Sequence, residues 1–163
     1  MPVGGGGIVT LASVSYSLGI AVSGSTVYWT DDGAGNVASI PVGGGSVATL
    51  ATGQTAPNQV ATDGINLYWT DSSTVLQRAL GADGGGIVTL ASGVNPTGID
   101  TDGVDVYFSE SGGSGSIQKV PVGGGSVTTV VAAPNTVRMR VDATSVYWTN
   151  YSSAPGVYRH TPK

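Results

Sequence analysis

Few residues in this 163-residue chain are of types that do chemistry. There is one histidine, His160, three residues from the C-terminus, and no cysteine. A catalytic histidine needs an orienting partner and a buried wall, which a terminal segment does not supply, so His160 reads as a surface or edge-strand residue. The lack of cysteine excludes disulfides and thiolate metal sites, and no His/Asp/Glu set has metal-ligand spacing. We expect no catalytic residues, no metal and no cofactor. The "GGG" phrases imitate phosphate loops, but such a loop feeds a helix and usually carries a lysine, whereas β-rich sequence follows here each time. "DDGAGN" at 31–36 has oxygen side chains on a glycine-rich bend, without the spaced ligands and closing glutamate of a calcium loop.

The richest chemistry lies in "VRMRVD", which carries Arg138 and Arg140. Aligned with three related segments, Arg138 shares a column with Gly19, Gln59 and Gly98, and Arg140 shares one with Ala21, Ala61 and Asp100. Two readings are open. One is an ion pair from Asp100 to Arg140, because buried charge usually has a partner. The other is an anion or polar-ligand site built from Arg138, Arg140, Asp100 and Gln59.

The alignment rests on an internal repeat. Tyr28-Trp29, Tyr68-Trp69, Tyr107-Phe108 and Tyr147-Trp148 follow one another at steps of 40, 39 and 40 residues, and Thr10, Thr49, Thr89 and Thr129 of the glycine-rich phrase keep the same pace. Two motifs in step along the chain define four units of about forty residues. Each unit reads as four short strands. A is "LGIAV", "NQVAT", "TGIDT" or "VRMRV"; B is "TVYWT", "NLYWT", "DVYFS" or "SVYWT"; C is "NVASI", "VLQRAL", "SIQKV" or "GVYRH"; D is "GIVTLA", "SVATLA", "GIVTLA" or "SVTTVV". Ser23-Gly24, Asp63-Gly64, Asp102-Gly103 and Asp142-Ala143 join A to B as tight turns, and the glycine run joins C to D.

No segment holds a 3.6-residue period, so helices are not expected. Strand B has large apolar groups at consecutive positions, so both of its faces must be covered. Small sheets stacked face to face around an axis achieve this, with strand A lining the central channel. The expected fold is all-β: a β-propeller of four-stranded antiparallel blades, four per chain, in one unit over 1–163.

"YWTD" at 68–71, with "YWTDD", "YFSE" and "YWTN" as its other copies, resembles the YWTD-type propellers of the low-density-lipoprotein-receptor family. Bacterial proteins with serial "PVGGG...YWT" repeats are more similar still. The resemblance implies structural roles: Tyr28, Trp29, Tyr68, Trp69, Tyr107, Phe108, Tyr147 and Trp148 pack between blades. It also implies that Asp31 and Asp71, and by position Glu110 and Asn150, make hydrogen bonds that tie blades together. A secreted or cell-envelope bacterial setting is implied as well, although residues 1–22 have neither a basic leader nor a continuous apolar span.

In strand order the chain runs D, three complete A-B-C-D units, then A-B-C. Strand D at 1–12 would therefore complete the blade formed by 137–163, which leaves no unpaired edge. A four-bladed monomer closes this way only with a steep angle between blades, so an eight-bladed homodimer with exchanged strands is the favoured arrangement. Ends cut in mid-repeat are also what an engineered fragment of a longer array would show. With a net charge of −4, six scattered Lys and Arg and no basic cluster, neither nucleic-acid binding nor membrane insertion is expected. The expected function is a non-enzymatic scaffold whose partner is itself, with a protein, peptide or glycan held at its loops or channel. A channel-acting lyase or hydrolase and a lectin are the alternatives.

Overall fold

The computed structural model describes residues 7–81, 84–111, 114–151 and 154–163. Among them are fifteen strands and no helix, hence no helix long and apolar enough to cross a membrane. The first sheet is β1 (Ser17–Ser23), β2 (Thr26–Asp31), β3 (Asn36–Pro41) and β4 (Ala48–Ala51). The second is β5 (Val60–Thr62), β6 (Asn66–Thr70), β7 (Thr74–Ala79) and β8 (Val88–Ser92). The third is β9 (Pro96–Thr101), β10 (Asp105–Glu110), β11 (Ser116–Pro121) and β12 (Thr128–Ala132). The fourth has β13 (Thr136–Val141), β14 (Val146–Asn150) and β15 (Gly156–His160). Each sheet is an antiparallel meander in chain order. The sheets stack as the four blades of a β-propeller, with β1, β5, β9 and β13 side by side at the channel.

The turn chemistry explains why consecutive strands pair. Asp63 Oδ1 accepts the N–H groups of Ile65 and Asn66 at 2.8 and 2.6 Å, and Asp102 and Asp142 repeat the pattern. A carboxylate that caps its own turn leaves the following glycine free to take positive φ, 88° at Gly64 and 84° at Gly103. In the glycine runs, Gly44 and Gly45 sit at 85° and 130° and Gly124 and Gly125 at 83° and 137°, and a strand follows in each case.

The repeat columns are the register of the sheets. Ala21, Ala61, Asp100 and Arg140 each stand opposite the strand-B tyrosine, and Ile20, Val60, Ile99 and Met139 opposite Trp29, Trp69, Phe108 and Trp148. Because side chains alternate, every blade has a trailing face carrying the tyrosine and a leading face carrying the tryptophan or phenylalanine. Tyr28, Val37 and Ala51 of the first blade pack on Val60, Leu67, Trp69 and Leu76 of the second. Tyr68, Val75 and Ala91 meet Ile99, Val106, Phe108 and Val120, and Tyr107, Ile117 and Ala133 meet Met139, Val146 and Trp148. The core is thus three layers between blades, with a fourth cluster of Trp29, Ala38 and Ile40 on the leading face of the first blade, packed against by Ala12 and Val27.

The fourth sheet holds three strands among the described residues. Of the expected closing strand 1–12, residues 1–6 lie outside the described residues, and residues 7–12 carry no strand. The first and fourth blades do not pack together as consecutive blades do.

Candidate functional site

Strand A does line the channel, and β1, β5, β9 and β13 bring Ala21, Ala61, Asp100 and Arg140 around one cavity of about 300 Å³. The pairing inside it differs from the ion-pair expectation. Asp100 Oδ2 accepts the Val141 N–H across the blade boundary at 2.8 Å, and Oδ1 accepts the Thr101 N–H at 3.0 Å. Among the described residues the ion pairs are Lys119–Asp105 and Lys163–Asp102, at 2.8 and 2.6 Å. Arg140 instead donates to the Met139 carbonyl and Arg138 to that of Val137. Backbone amides reach Asp100 first because adjacent inner strands lie close together, while a long exposed guanidinium loses rotamer entropy by holding one pose. Burial pushes the Asp100 carboxyl above its usual range, against the two amides and the more distant positive charge of Arg140.

Gln59 is not free for a ligand. It is buried, and its Nε2 donates to the Leu18 carbonyl of the preceding blade and to Asn58 Oδ1. Arg138 borders an open cleft with Tyr147, Thr149 and Val157, and Arg140 lines that cleft as well as the channel cavity. His160 ends β15 opposite Val146. Of the four proposed ligand residues, Arg140 thus joins Asp100 at the channel cavity and Arg138 at the open cleft, while Gln59 is held in a blade junction. Among the described residues no group of three or more His, Asp or Glu could hold a metal ion.

The acidic residues of the strand-B motif divide the role that the resemblance implies. Asp31 accepts the N–H groups of Ser15, Tyr16 and Ala34, and Asn150 donates to the Pro134 carbonyl, so both fasten the linker that enters their own blade. The Tyr16 amide leads in holding the Asp31 carboxyl below its usual range. Asp71 and Glu110 stay with their own B-to-C segment, on Ser73 and Thr74 and on Ser116 and Gln118. Two of the four thus tie nothing between blades. Hydroxyls join the first blade to the second and the third to the fourth. Thr30 Oγ1 accepts the Gly19 N–H at 2.9 Å and donates to the Asn58 carbonyl of the next blade at 2.6 Å. In the third blade Ser109 meets Thr97, which donates to the Thr136 carbonyl of the fourth. The third letter of "YWT" was the available signal for this.

A second cluster escapes sequence reasoning because its members are far apart in the chain. Lys163 lies 5.3 Å from the centre of the Tyr107 ring while pairing with Asp102, and Lys119 lies 5.6 Å from the same ring while pairing with Asp105. Burial alone would raise Asp102, but the Asp105 amide and Lys163 bring it to about 2. Every charge in the cluster has a partner, so its chemistry is the anchoring of the C-terminus between two blades.

The largest exposed departures from the repeat are two blade faces. Val157 is 81% exposed, whereas Val37, Val75 and Ile117 at the same position are fully buried. Thr149 is exposed where Thr30, Thr70 and Ser109 are buried, and Tyr147 is half-buried where Tyr28, Tyr68 and Tyr107 are buried. These groups form the trailing face of the fourth blade, open over about 260 Å³. On the leading face of the first blade, Ile20 is 67% exposed while its counterparts Val60, Ile99 and Met139 are buried. There Leu11, Ala12 and Val14 border a cleft of about 310 Å³ over Val27, Trp29 and Ile40.

No protein-family model matches the sequence, and no curated protein is similar to it. Solved structures are similar in fold. A chain of a nidogen/laminin complex matches 90% of this chain and 76% of its own, with 17% identity and a TM-score of 0.65. The computationally designed Ika4 protein matches 95% of this chain and 99% of its own, with 12% identity and a TM-score of 0.72. A protein of unknown function from Bacteroides thetaiotaomicron matches 96% of this chain but only 44% of its own, with 17% identity and a TM-score of 0.70. At these identities the likeness extends to the fold.

Proposed function

We propose that this chain is a non-enzymatic, YWTD-type propeller module that closes its ring with a second copy. The closed ring presents loops and channel to a protein, peptide or glycan. One observation carries the reading: the trailing face of the fourth blade and the leading face of the first are the two halves of a blade junction, and each lacks the other. At the three internal junctions the equivalent side chains are buried, so the open halves expose Val157 and Ile20 to water with the matching surface built on the same chain. Exposed apolar surface of this kind marks an association site. A head-to-tail contact used twice about a twofold axis consumes both halves in a dimer.

Catalysis receives no such support. Asp100 is occupied by two backbone amides, and the Thr62 hydroxyl that lines the same cavity is occupied by the Asn66 carbonyl and the Gly64 amide. Sedimentation velocity at micromolar concentration tests the proposal. The expected particle has twice the 16.1 kDa chain mass, and a particle of the single-chain mass overturns it.

A further inference from the structure

We infer that residues 7–13 of one copy form the fourth strand of the last blade in the other, added antiparallel to the free edge of β15 with Val157 opposite Ala12 and Tyr158 opposite Thr10. This rests on the ring-closing reading and specifies its seam. The register comes from the three complete blades. The C and D strands pair Val37 with Ala51 and Ala38 with Thr49; then Val75 with Ala91 and Leu76 with Thr89; then Ile117 with Val131 and Gln118 with Thr129. Each pairing skips one residue of strand D at the same place: Leu50, Leu90 or Val130. The repeat phrase places Ala12 with Ala51, Leu11 with Leu50 and Thr10 with Thr49, while β15 supplies Val157 and Tyr158 in the positions of Val37 and Ala38.

The position of the segment supports the same pairing. Ala51 ends the outer strand of the first blade and packs on the leading face of the second, against Trp69 and Leu76. Ala12 packs on the leading face of the first blade, against Trp29, Ala38 and Ile40. Residues 7–12 therefore lie where the outer strand of a preceding blade belongs, without the A, B and C strands of that blade. Among the described residues the fourth blade has those three strands and no outer one. A strand added there would pair the exposed edge of β15, which otherwise offers its N–H and C=O groups to any passing chain. In this seat Thr149 repeats Thr30. Its hydroxyl would face the partner's Leu18 carbonyl, the counterpart of Asn58. Arg138 occupies the column where a Cβ on Gly19 would sit 2.6 Å from the Asn58 carbonyl oxygen, so this junction must be wider at the channel end. Gln59 shows that the column accepts a long side chain when it turns back to the preceding blade, where its Nε2 reaches the Leu18 carbonyl.

The chain has no cysteine, so one engineered pair gives an unambiguous readout. Residues directly opposite in antiparallel strands are within disulfide reach. Oxidised protein carrying Ala12→Cys and Val157→Cys is expected to run on a non-reducing gel at twice the chain mass and to return to single-chain mass on reduction. Either cysteine alone gives no such species. Moving the first cysteine to Ile8 lowers the yield at least about fivefold, because the pair is then out of reach. A disulfide within one chain overturns the inference. Twice the chain mass in solution with no disulfide overturns the strand pairing and leaves the ring standing. Single-chain mass without a disulfide overturns both. Hydrogen exchange on the unsubstituted protein guards against a folding defect: amides of residues 7–12 and of β15 should be protected together in the assembled state, and exchange of both at the free-chain rate overturns the pairing.

Discussion

At the scale of single residues, the Thr30 hydroxyl joins the first blade to the second where the family resemblance implied the acid. Thr30→Val removes the donor to Asn58 and the acceptor for Gly19. Leaving these buried backbone groups unpaired costs about 2 kcal/mol, read as a lowered urea midpoint. Thr149→Val, at an exposed copy of the position, stays within about 0.5 kcal/mol in the isolated chain. Arg140→Ala loses a bond to its neighbour's carbonyl and a favourable charge near Asp100 at an exposed position, so the stability of the single chain should change by no more than about 0.5 kcal/mol. Acid acts on the turn carboxylates. Asp102 and Asp142 titrate at about 2 when folded, against 3.8 as the ordinary value, Asp142 chiefly through the Thr144 amide and the Tyr147 hydroxyl. A depressed carboxylate stabilises the fold above its unfolded pKa, and that share is lost as pH falls through the folded one. The thermal midpoint should therefore drop between about pH 4 and pH 2. Asp100 opposes this weakly: its raised pKa is a penalty on the folded state that acid relieves. Asp102→Asn should flatten the acid slope.

At the scale of elements, the four copies of strand A differ because their neighbours leave different room. A Cβ on Gly19 would sit 2.6 Å from the Asn58 carbonyl oxygen and 2.8 Å from the Val60 nitrogen, both backbone atoms. Gly19→Ala should cost about 1–3 kcal/mol in chemical denaturation, since overpacking here displaces a whole strand. On Gly98 the same atom meets Ser109 Oγ at 2.9 Å and Met139 Cγ at 3.1 Å. These side chains can move, so Gly98→Ala should cost less. The turn carboxylates follow the same logic: Asp63, Asp102 and Asp142 each cap a turn and hold a tyrosine hydroxyl, whereas the first blade has Ser23 in that place. Its A-to-B hairpin rests on Gly24, at φ 55°, without the carboxylate clasp.

At the scale of the whole molecule, the first and fourth blades each keep, among the described residues, an outer face that exposes an apolar side chain, Ile20 on one and Val157 on the other. Val157→Arg sets a charge on the trailing face of the fourth blade at a position that water already reaches. The single chain should fold with nearly unchanged melting, while burying an unpaired guanidinium at the junction should reduce the solution mass from two chains to one. Loss of the fold in this variant would show that the face is covered within one chain.

The blade, its strands and its register were legible in the sequence because they are local. The forty-residue period, the Asp-Gly turns, the glycine runs and the paired aromatics each act within one meander and repeat four times. Even the column that sets Asp100 and Arg140 opposite the tyrosines followed from counting. What Asp100 and Arg140 bond to, the link from Gln59 back to Leu18 and the clasp of Lys163 on Asp102 depend on which backbone amides and charges the stacking brings within 3 Å. Those are distances between blades, and a repeat pattern records only what happens within one. By itself the sequence determined the blades, their strands and their order along the chain. Only the tertiary structure decided that Ile20 and Val157 stay exposed where their counterparts are buried, because the rotation from blade to blade is set by the side chains packed in the junctions.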